Sequence, residues 1–560
     1  GFFKKCRMKP RLLPILKTER EAVFVKKKAV LLLGALFLLL GAACVSLGRV
    51  SQGEEYVAAA GAQSLYRLDI AQARGTIYDC NLQPLVGGET QYVAAVAPTI
   101  QSIGALEKAT DGEYRDRLAL ALENGRPFQL VLESPVDDPR IDVSQVPQRY
   151  TENQLAPHII GYLDSLGGGA AGIELAMDDV LRQYEGEISV TYQVDALGRA
   201  IAGGERQVVD TLEDSQGGVA LTLDSEIQAL AQEAAQGLGK GAVVVTQAPD
   251  CQIRAVASVP DFSPLDLGSA TESQDAPLVN RGFSAYAPGS VFKLVTAAAL
   301  LEADLGDTTF HCQGYVDVGG LRFHCVNSTS HGELDLTGAL EKSCNCYFIN
   351  AARALGGQEI LTMAYNLGFG TAQEFGRGLW TSSGDLPSLS DLENVRALAN
   401  FSFGQGNLTT TPLQLCAMMN AICSSGVYAS PKLIEGVVNT QGELSPASSQ
   451  EDVSRKAMSP STAQILKAAL VSAAQEGTGQ VAAPSNGTAG IKTGTAQTGV
   501  FQGEEELLHF WYSGFVQGED GVCYCITVLK ESAASGQEDA ARAFQEVAQG
   551  ILDLGEEKGN

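Results

Sequence analysis

The sequence predicts an α+β chain in three parts: a single transmembrane helix, an elongated β-rich module, and a larger domain built on an antiparallel sheet flanked by helices. Three observations carry this expectation. Ala29 to Leu47 is 19 residues without a charge, which as a helix spans roughly 28 Å, about one hydrocarbon core. Between that run and residue 215, short β-like runs alternate with turn-rich pieces. From Val219 onward the order is helix, two strands, a large helical insertion, two strands and a closing helix, the pattern of an α+β domain.

The apolar run fits the first part because no polar face interrupts it. Its flank, Lys26-Lys27-Lys28, places the N-terminus in the cytoplasm and the rest outside. Residues 1–28 hold ten Lys or Arg against two Asp or Glu, so the remainder carries −34 of a net charge of −26. A basic tail before an acidic body is not a nucleic-acid-binding profile, since phosphate contacts need a basic folded surface. A signal peptide cleaved near Ala42-Ala43, or a lipoprotein signal ending at Cys44, competes with the uncleaved anchor. The chain does not begin with Met, and Met8 is a candidate for a position nearer its true start. With 560 residues and 45% apolar content, more than one folded unit is expected. The divisions read as 1–28 tail, 29–48 anchor, 49–215 β-rich module and 216–560 principal domain.

In the module, YVAAVAP, FQLVLES and ISVTYQV are the strand-like runs, Ser165 to Gly172 is a loop and Ile173 to Leu181 a helix. In the principal domain, Asp224 is placed to cap a helix whose inner face is Ile227, Leu230, Ala231 and Ala234. GAVVVTQ and IRAVASV follow as strands, and HFWYSGFV and VCYCITVLKE as two more near the C-terminus. The last helix turns Ala541, Phe544, Val547 and Ile551 inward. Cys523 and Cys525, two apart in an apolar strand, share one face as small core residues.

Chemistry concentrates first in YAPGSVFKLVTAAAL, Tyr286 to Leu300. Ser290 opens an apolar helix and Lys293 follows three residues later on the same face. Val291, Phe292, Leu294 and Val295 surround the lysine. Desolvation disfavours its ammonium form, and a neutral amine can take a serine proton without any histidine. Alone, S-x-x-K arises by chance about once or twice in a chain of this length. Here Ser343-Cys344-Asn345 lies about 50 residues on in a helical stretch, and Lys492-Thr493-Gly494-Thr495 lies just ahead of HFWYSGFV. The order S-x-x-K, S-x-N, K-T-G is the active-site set of serine penicillin-recognising enzymes. Gly494 suits a strand that must lie close to substrate and suits a bulge or bend equally well. His158 and His509 read as structural, and no G-x-S-x-G elbow supports a Ser-His hydrolase.

With these motifs the chain resembles a class B penicillin-binding protein, a monofunctional peptidoglycan D,D-transpeptidase. Asn280-Arg281 and Pro288-Gly289-Ser290 match that family's approach to its nucleophile, and Phe403-Gly404-Gln405-Gly406 with Thr411-Pro412-Leu413-Gln414 matches its GQG…TPLQ segment. In the module, Arg74-Gly75-Thr76-Ile77 with Asp79, Gly172-Ile173-Glu174, and Asp195 with Gly198-Arg199 resemble its pedestal motifs. Cys80 departs from the arginine common after that Asp. The resemblance implies a penicillin-binding/serine β-lactamase-like domain with a five-stranded antiparallel sheet. It implies Ser290 as nucleophile on a stem peptide, Lys293 as proton acceptor and Ser343 as proton relay. Asn345 would position, Lys492 supply positive potential, and Thr493, Gly494 and Thr495 bind substrate. The Ser290 and Thr495 N–H groups would form an oxyanion hole. It implies β-lactams as covalent inhibitors and a polytopic glycosyltransferase as membrane partner. A serine β-lactamase, a carboxypeptidase and a non-catalytic sensor or scaffold are the competing readings.

No cofactor is needed for that chemistry. A metal is a separate matter. Cys312, Cys325, His331 and Cys344 follow C-x12-C-x5-H-x12-C, and three thiolates with an imidazole are a common structural zinc set. Some elongation-type members of the family carry zinc near the same helix. A Cys312–Cys325 disulfide outside the membrane and plain thiols are the alternatives, and His311 and His324 are other candidate ligands.

Overall fold

The computed structural model describes residues 16–52, 64–446 and 453–559. The tail up to residue 15, with Cys6 and Met8, lies outside them. The chain divides into two compact units: Gly1–Ile70, Val93–Ser144 and Ser189–Val209, and Ala71–Tyr92, Gln145–Ile188 and Asp210–Asn560. The second therefore takes in two segments from the region preceding residue 216, and starts its third at Asp210.

The first unit carries α1, Leu16–Gln52. Within it Lys26–Val50 has a mean hydropathy of 2.7 and is not packed against protein, so by length and composition this helix can cross a membrane. Two further helices, Ile100–Ala109 and Arg115–Asn124, were not legible as such. The first begins in a reciprocal Thr99–Ser102 cap, and Gly125 closes the second at φ +69°.

The second unit is organised by a five-stranded sheet of β1 (Gly241–Gln247), β2 (Gln252–Val259), β3 (Thr488–Gln502), β4 (Glu505–Gln517) and β5 (Cys523–Ala533), in the order β2–β1–β5–β4–β3. Every pairing is antiparallel. Both faces are covered, which is why GAVVV reads as a continuous apolar run. Val243 and Val245 join one core with α2 (Ser225–Gln236) and α8 (Gln537–Gly559). Val244 and Val256 face the other, with the residues of α6 (Pro412–Cys423). Asp224 caps α2 as expected, accepting from the Glu226 and Ile227 amides. Ala541, Phe544, Val547 and Ile551 are all buried. The helix expected over Ile173 to Leu181 is two short turns, Gly172–Ala176 and Asp178–Leu181.

The pedestal-like motifs of this unit meet at a buried carboxylate. Glu174 is fully buried and takes a two-pronged contact from Arg149, 2.7 and 2.9 Å, while Arg74 lies 3.5 Å from it and 2.7 Å from Asp178. Gly172 sits at φ +60°, where a Cβ would come within 2.5 Å of the Ile159 carbonyl oxygen. Asp79 accepts from the Asn81 and Gln83 amides and from the Ser225 hydroxyl. Cys80 lies within that turn and its amide donates to the Leu223 carbonyl; its sulfur faces Asp224 at 3.8 Å, and burial raises its pKa to about 11.

Candidate active site

Three elements bring the motif residues together. The Gly289–Phe292 3₁₀ turn leads directly into α3 (Lys293–Glu302), so Ser290 stands one turn before the α-helix proper and Lys293 at its start. Ser343 is not helical, contrary to the sequence reading. It lies at φ +50° in the break between α4 (Leu336–Glu341) and α5 (Asn345–Leu355), so the S-x-N motif is a corner rather than a helical face. Lys492 to Thr495 lie on β3, the edge strand of the sheet.

The nucleophile turn and the edge strand approach closely, and two glycines permit it. Gly289 is at φ +53°, and a Cβ there would lie 2.4 Å from the Thr495 carbonyl oxygen. A Cβ on Gly494 would lie 2.9 Å from the Pro288 carbonyl oxygen and from Val291. Gly494 is thus required by the nucleophile turn itself. The turn is further held by Gly289 N–H to the Gly404 carbonyl (3.0 Å), Trp511 Nε1–H to the Ala287 carbonyl (3.0 Å) and a backbone pair between Tyr286 and Thr410. This explains the GQG…TPLQ segment: Thr411 and Gln414 cap α6 reciprocally, and the Gln414 amide donates to the Gly368, Thr371 and Ser383 carbonyls.

Lys293 is fully buried. Its Nζ meets the Ser343 carbonyl oxygen at 2.6 Å, Asn345 Oδ1 at 2.7 Å and Ser343 Oγ at 3.1 Å, with the Phe348 ring centroid 5.8 Å away. Ser290 Oγ is not among these partners; the Lys293 bonds run to the S-x-N corner. Lys492 Nζ, also buried, donates to Ser343 Oγ at 2.9 Å and to its neighbour's carbonyl, Thr493 O, at 3.0 Å. Ser343 Oγ therefore bridges two amines. Burial lowers the Lys293 pKa to about 8, and burial together with the Lys293 charge lowers that of Lys492. The first two Lys293 partners only accept, so a neutral –NH₂ satisfies both and keeps its lone pair for an incoming proton.

Thr493 is buried and bonds Thr478 Oγ1 at 2.9 Å, whereas Thr495 is exposed on the edge strand. Thr478 was missed by sequence reasoning, since a loop threonine carries no pattern. His158 and His509 are structural in their bonding: His158 Nε2 meets the Pro277 carbonyl oxygen at 2.6 Å, and His509 Nδ1 accepts from the Ser532 amide. Burial lowers both pKa values to about 4.

The four candidate metal ligands converge next to this corner. The donor atoms of Cys312, Cys325, His331 and Cys344 all lie within 4.8 Å of one another. Their shortest separations are 3.7 Å for Cys312–Cys325, 3.5 Å for Cys312–His331 Nδ1 and 3.7 Å for Cys325–Cys344. The two paired cysteines are thus free thiols here. His311 and His324 point elsewhere, to Glu333 and Ser328. Cys346, unremarked in the sequence, sits 3.4 Å from Cys325.

The penicillin binding protein transpeptidase domain matches residues 241–549, more than half of the chain. The chain belongs to the penicillin-binding protein transpeptidase family. Its resemblance to the class B members is borne out by its relatives. Stage V sporulation protein D of Bacillus subtilis is 28% identical over 364 residues, 62% of this chain and 54% of that protein. Penicillin-binding protein PbpB of Mycobacterium tuberculosis is 31% identical over 369 residues, 62% of this chain and 52% of its own length. The peptidoglycan D,D-transpeptidase MrdA of Salmonella typhimurium is 25% identical over 447 residues, 69% and 71%. The match thus spans little more than half the length of the first two. Among solved structures, penicillin binding protein 3 of M. tuberculosis with aztreonam superposes with a TM-score of 0.63 at 24% identity, covering 88% of this chain and 97% of that one. The D,D-transpeptidase domain of a peptidoglycan glycosyltransferase from Eggerthella lenta gives 0.62 at 24%, covering 86% and 99%. At that identity they speak for the fold: the penicillin-binding protein sheet flanked by helices. With α1, this is a membrane-anchored penicillin-binding protein.

Proposed function

We propose that this penicillin-binding protein is a serine-type peptidoglycan D,D-transpeptidase of the cell membrane, with its N-terminus cytoplasmic and its catalytic domain outside. The carrying observation is the chain Lys293 Nζ–Ser343 Oγ–Lys492 Nζ, with links of 3.1 and 2.9 Å inside a buried corner. The bonds of both amines go to carbonyl, amide and hydroxyl oxygens, so burial is not offset by a carboxylate and the pair favours at least one neutral amine.

In this reading Ser290 Oγ attacks the carbonyl carbon of the penultimate D-Ala of a stem peptide, and its proton passes to the Lys293 amine. The Ser290 and Thr495 amides stabilise the oxyanion, a preorganised pair contributing several kcal/mol. Ser343 Oγ, accepting from one amine and donating to the other, passes a proton to the leaving D-Ala nitrogen as the C–N bond breaks. Asn345 holds Lys293, and exposed Thr495 with Thr493 and Gly494 receives the terminal part of the peptide. An amine of a neighbouring strand then attacks the ester. It gives up a proton along the same path, restores the Ser290 hydroxyl and leaves an amide cross-link. A β-lactam acylates the same oxygen. A polytopic membrane glycosyltransferase is the partner this reading implies.

The thiol–imidazole cluster fits a structural zinc. Four ligands tetrahedral about zinc at about 2.3 Å (S) and 2.0 Å (N) have edges of roughly 3.8 Å for S–S and 3.5 Å for S–N, against 3.7 and 3.5 Å here. Backbone amides of Gly314 and Tyr347 approach the Cys312 and Cys344 sulfurs at 3.4 Å, as they do thiolates. Cys312, Cys325, His331 and Cys344 would hold the ion, whose contribution is to brace the backbone beside Ser343. Purified protein should contain one zinc per chain, lost in Cys325→Ser.

The activity is tested with a fluorescent penicillin and a thioester or D-Ala-D-Ala substrate with an amine acceptor. Wild type should label stably and form the transfer product; Ser290→Ala should do neither. Equal labelling of the two removes Ser290 as nucleophile. Rapid release of the label by hydrolysis indicates a β-lactamase instead, and hydrolysis of substrate without transfer a carboxypeptidase.

A further inference from the structure

A second thiol cluster lies in the sheet. Cys423 ends α6, and Cys523 and Cys525 occupy alternate positions near the start of β5. Strand periodicity puts the latter two on one face, and α6 packs on that face. The three sulfurs all lie within 4.8 Å of one another. The sequence suggested only a pair of small core residues; a third thiol, a hundred positions earlier, completes a triangle. None of the three belongs to the acyl-transfer machinery.

We propose that Cys423, Cys523 and Cys525 form an all-sulfur, three-coordinate site for a soft monovalent cation, copper(I). The donor set decides the class. It contains no carboxylate and no imidazole, so it offers nothing to a hard cation, and thiolate ligands select copper(I), zinc or iron–sulfur clusters. Structural zinc and iron–sulfur clusters take four protein ligands, and among the described residues no fourth sulfur joins the three. Cys416, two turns earlier on α6, donates instead to the Val244 and Cys525 carbonyls at 3.2 and 3.5 Å. With Cys523 and Cys525 8% and 0% exposed, water is a poor substitute. Three sulfurs around a metal at about 2.3 Å stand roughly 4 Å apart, within the observed limit. Charge does not set the valence; the donor number does, and a neighbouring cation offsets part of the charge. Three thiolates and one cuprous ion leave a double negative charge, and the Lys467 ammonium lies within electrostatic reach of Cys423 and Cys523. Lys467, on α7 (Pro460–Gln475), is held there by Gln517 Oε1 at 3.1 Å and by the Phe515 ring, 5.0 Å from its centroid. Gln517 is the cross-strand partner of Cys523, so the cation and the thiol are tied to one register. Half-buried Cys423, at the end of its helix, is the side from which an ion enters.

The test uses the full chain in detergent, reduced and anaerobic, preloaded with zinc so that the other thiol cluster is accounted for. Copper(I) is titrated against bicinchoninate, zinc is quantified in parallel, and the copper edge is read by X-ray absorption. Wild type should bind one more copper equivalent than Cys423→Ser, with three sulfur neighbours, and the zinc content of the two should be equal. Cys325→Ser should keep that copper equivalent. Cys525→Ala should also lose it, but its position is deep enough to impair folding, so Cys423→Ser is decisive; its penicillin labelling should equal that of wild type. Equal copper stoichiometry and affinity in wild type and Cys423→Ser overturns the site. So does two-coordinate or oxygen-containing copper, or a Cys423–Cys523 disulfide in the protein as purified, before reduction.

Discussion

The pH dependence of acylation follows from the burial of Lys293. A free lysine amine with a pKa of 10.5 is neutral in about one molecule in 3,000 at pH 7. With burial lowering the value to about 8, about one in eleven is neutral, a gain near 300-fold, or about 3 kcal/mol at 1.36 kcal/mol per unit. If that amine takes the Ser290 proton, the second-order rate of acylation by a penicillin should rise about tenfold from pH 6 to 7. It should rise about fivefold from 7 to 8 and level off above. The perturbation is Lys293→Arg, which keeps a cation but cannot deprotonate in this range. Stopped-flow labelling with a fluorescent penicillin should give a slow, flat profile for the variant. The linkage has a second consequence. Between pH 8 and 10.5 the unfolded chain binds more protons at Lys293 than the folded one, so this group's contribution to stability rises with pH there and is unfavourable below pH 8. A wild-type rate that is flat between pH 6 and 8, or an arginine variant that retains the rising limb, refutes Lys293 as the base.

Other perturbations probe the scaffold. Glu174→Gln removes a buried charge from between Arg149 and Arg74 and should cost about 3–5 kcal/mol, read as a lowered thermal midpoint; a loss under about 1 kcal/mol would show that the arginines are satisfied elsewhere. Gly289→Ala forces a Cβ to 2.4 Å from the Thr495 carbonyl oxygen at positive φ. It should therefore slow penicillin acylation by at least about a hundredfold, roughly 2.7 kcal/mol, even where the protein folds; near-normal acylation would mean that the turn and the edge strand separate freely. Gln414→Ala strips donors from three carbonyls and should destabilise by about 1–3 kcal/mol in chemical denaturation.

Much of this was legible because chemistry and periodicity coincide. Strands β1, β2, β4 and β5 and helix α8 announce themselves by apolar runs and a one-sided stripe, and the three motifs by residue types rarely assembled by chance. What was missed has a common cause. The neighbours of Ser343 are helix formers and favour a helix through it, but its backbone is held at φ +50° by tertiary bonds, with its carbonyl and hydroxyl claimed by Lys293 and Lys492. Arg149 lies just after the strand Ile141–Gln148 with no motif around it, yet it is the main partner of Glu174. Thr478 and Cys423 matter only through what the fold places opposite them. The i, i+3 spacing puts Lys293 on the Ser290 face, but its amine makes its bonds elsewhere; spacing tells which face a side chain shares, while the competing acceptors come from a corner 50 residues away.

That corner also accounts for cysteines inside an acyl-transfer motif. Cys344 caps α5 with its sulfur and stands next to Ser343, while Asn345, on the other side, donates to the His324 carbonyl of the same thiol-bearing segment. Ser343 is thereby held between the cluster and the two lysines. A non-glycine residue in the left-handed region costs on the order of 1–3 kcal/mol and persists only where its surroundings over-determine it. Bonds from Lys293, Lys492 and the flanking Cys344 and Asn345 supply that determination. Disturbing the cluster should therefore act on the proton path first and on the fold second. Cys325→Ser, which spares every residue of the path, should lower the acylation rate at pH 8 more than it lowers the thermal midpoint of the sheet. A variant that lost stability but acylated at the wild-type rate would separate the cluster from the corner and leave Ser343 held by the lysines alone.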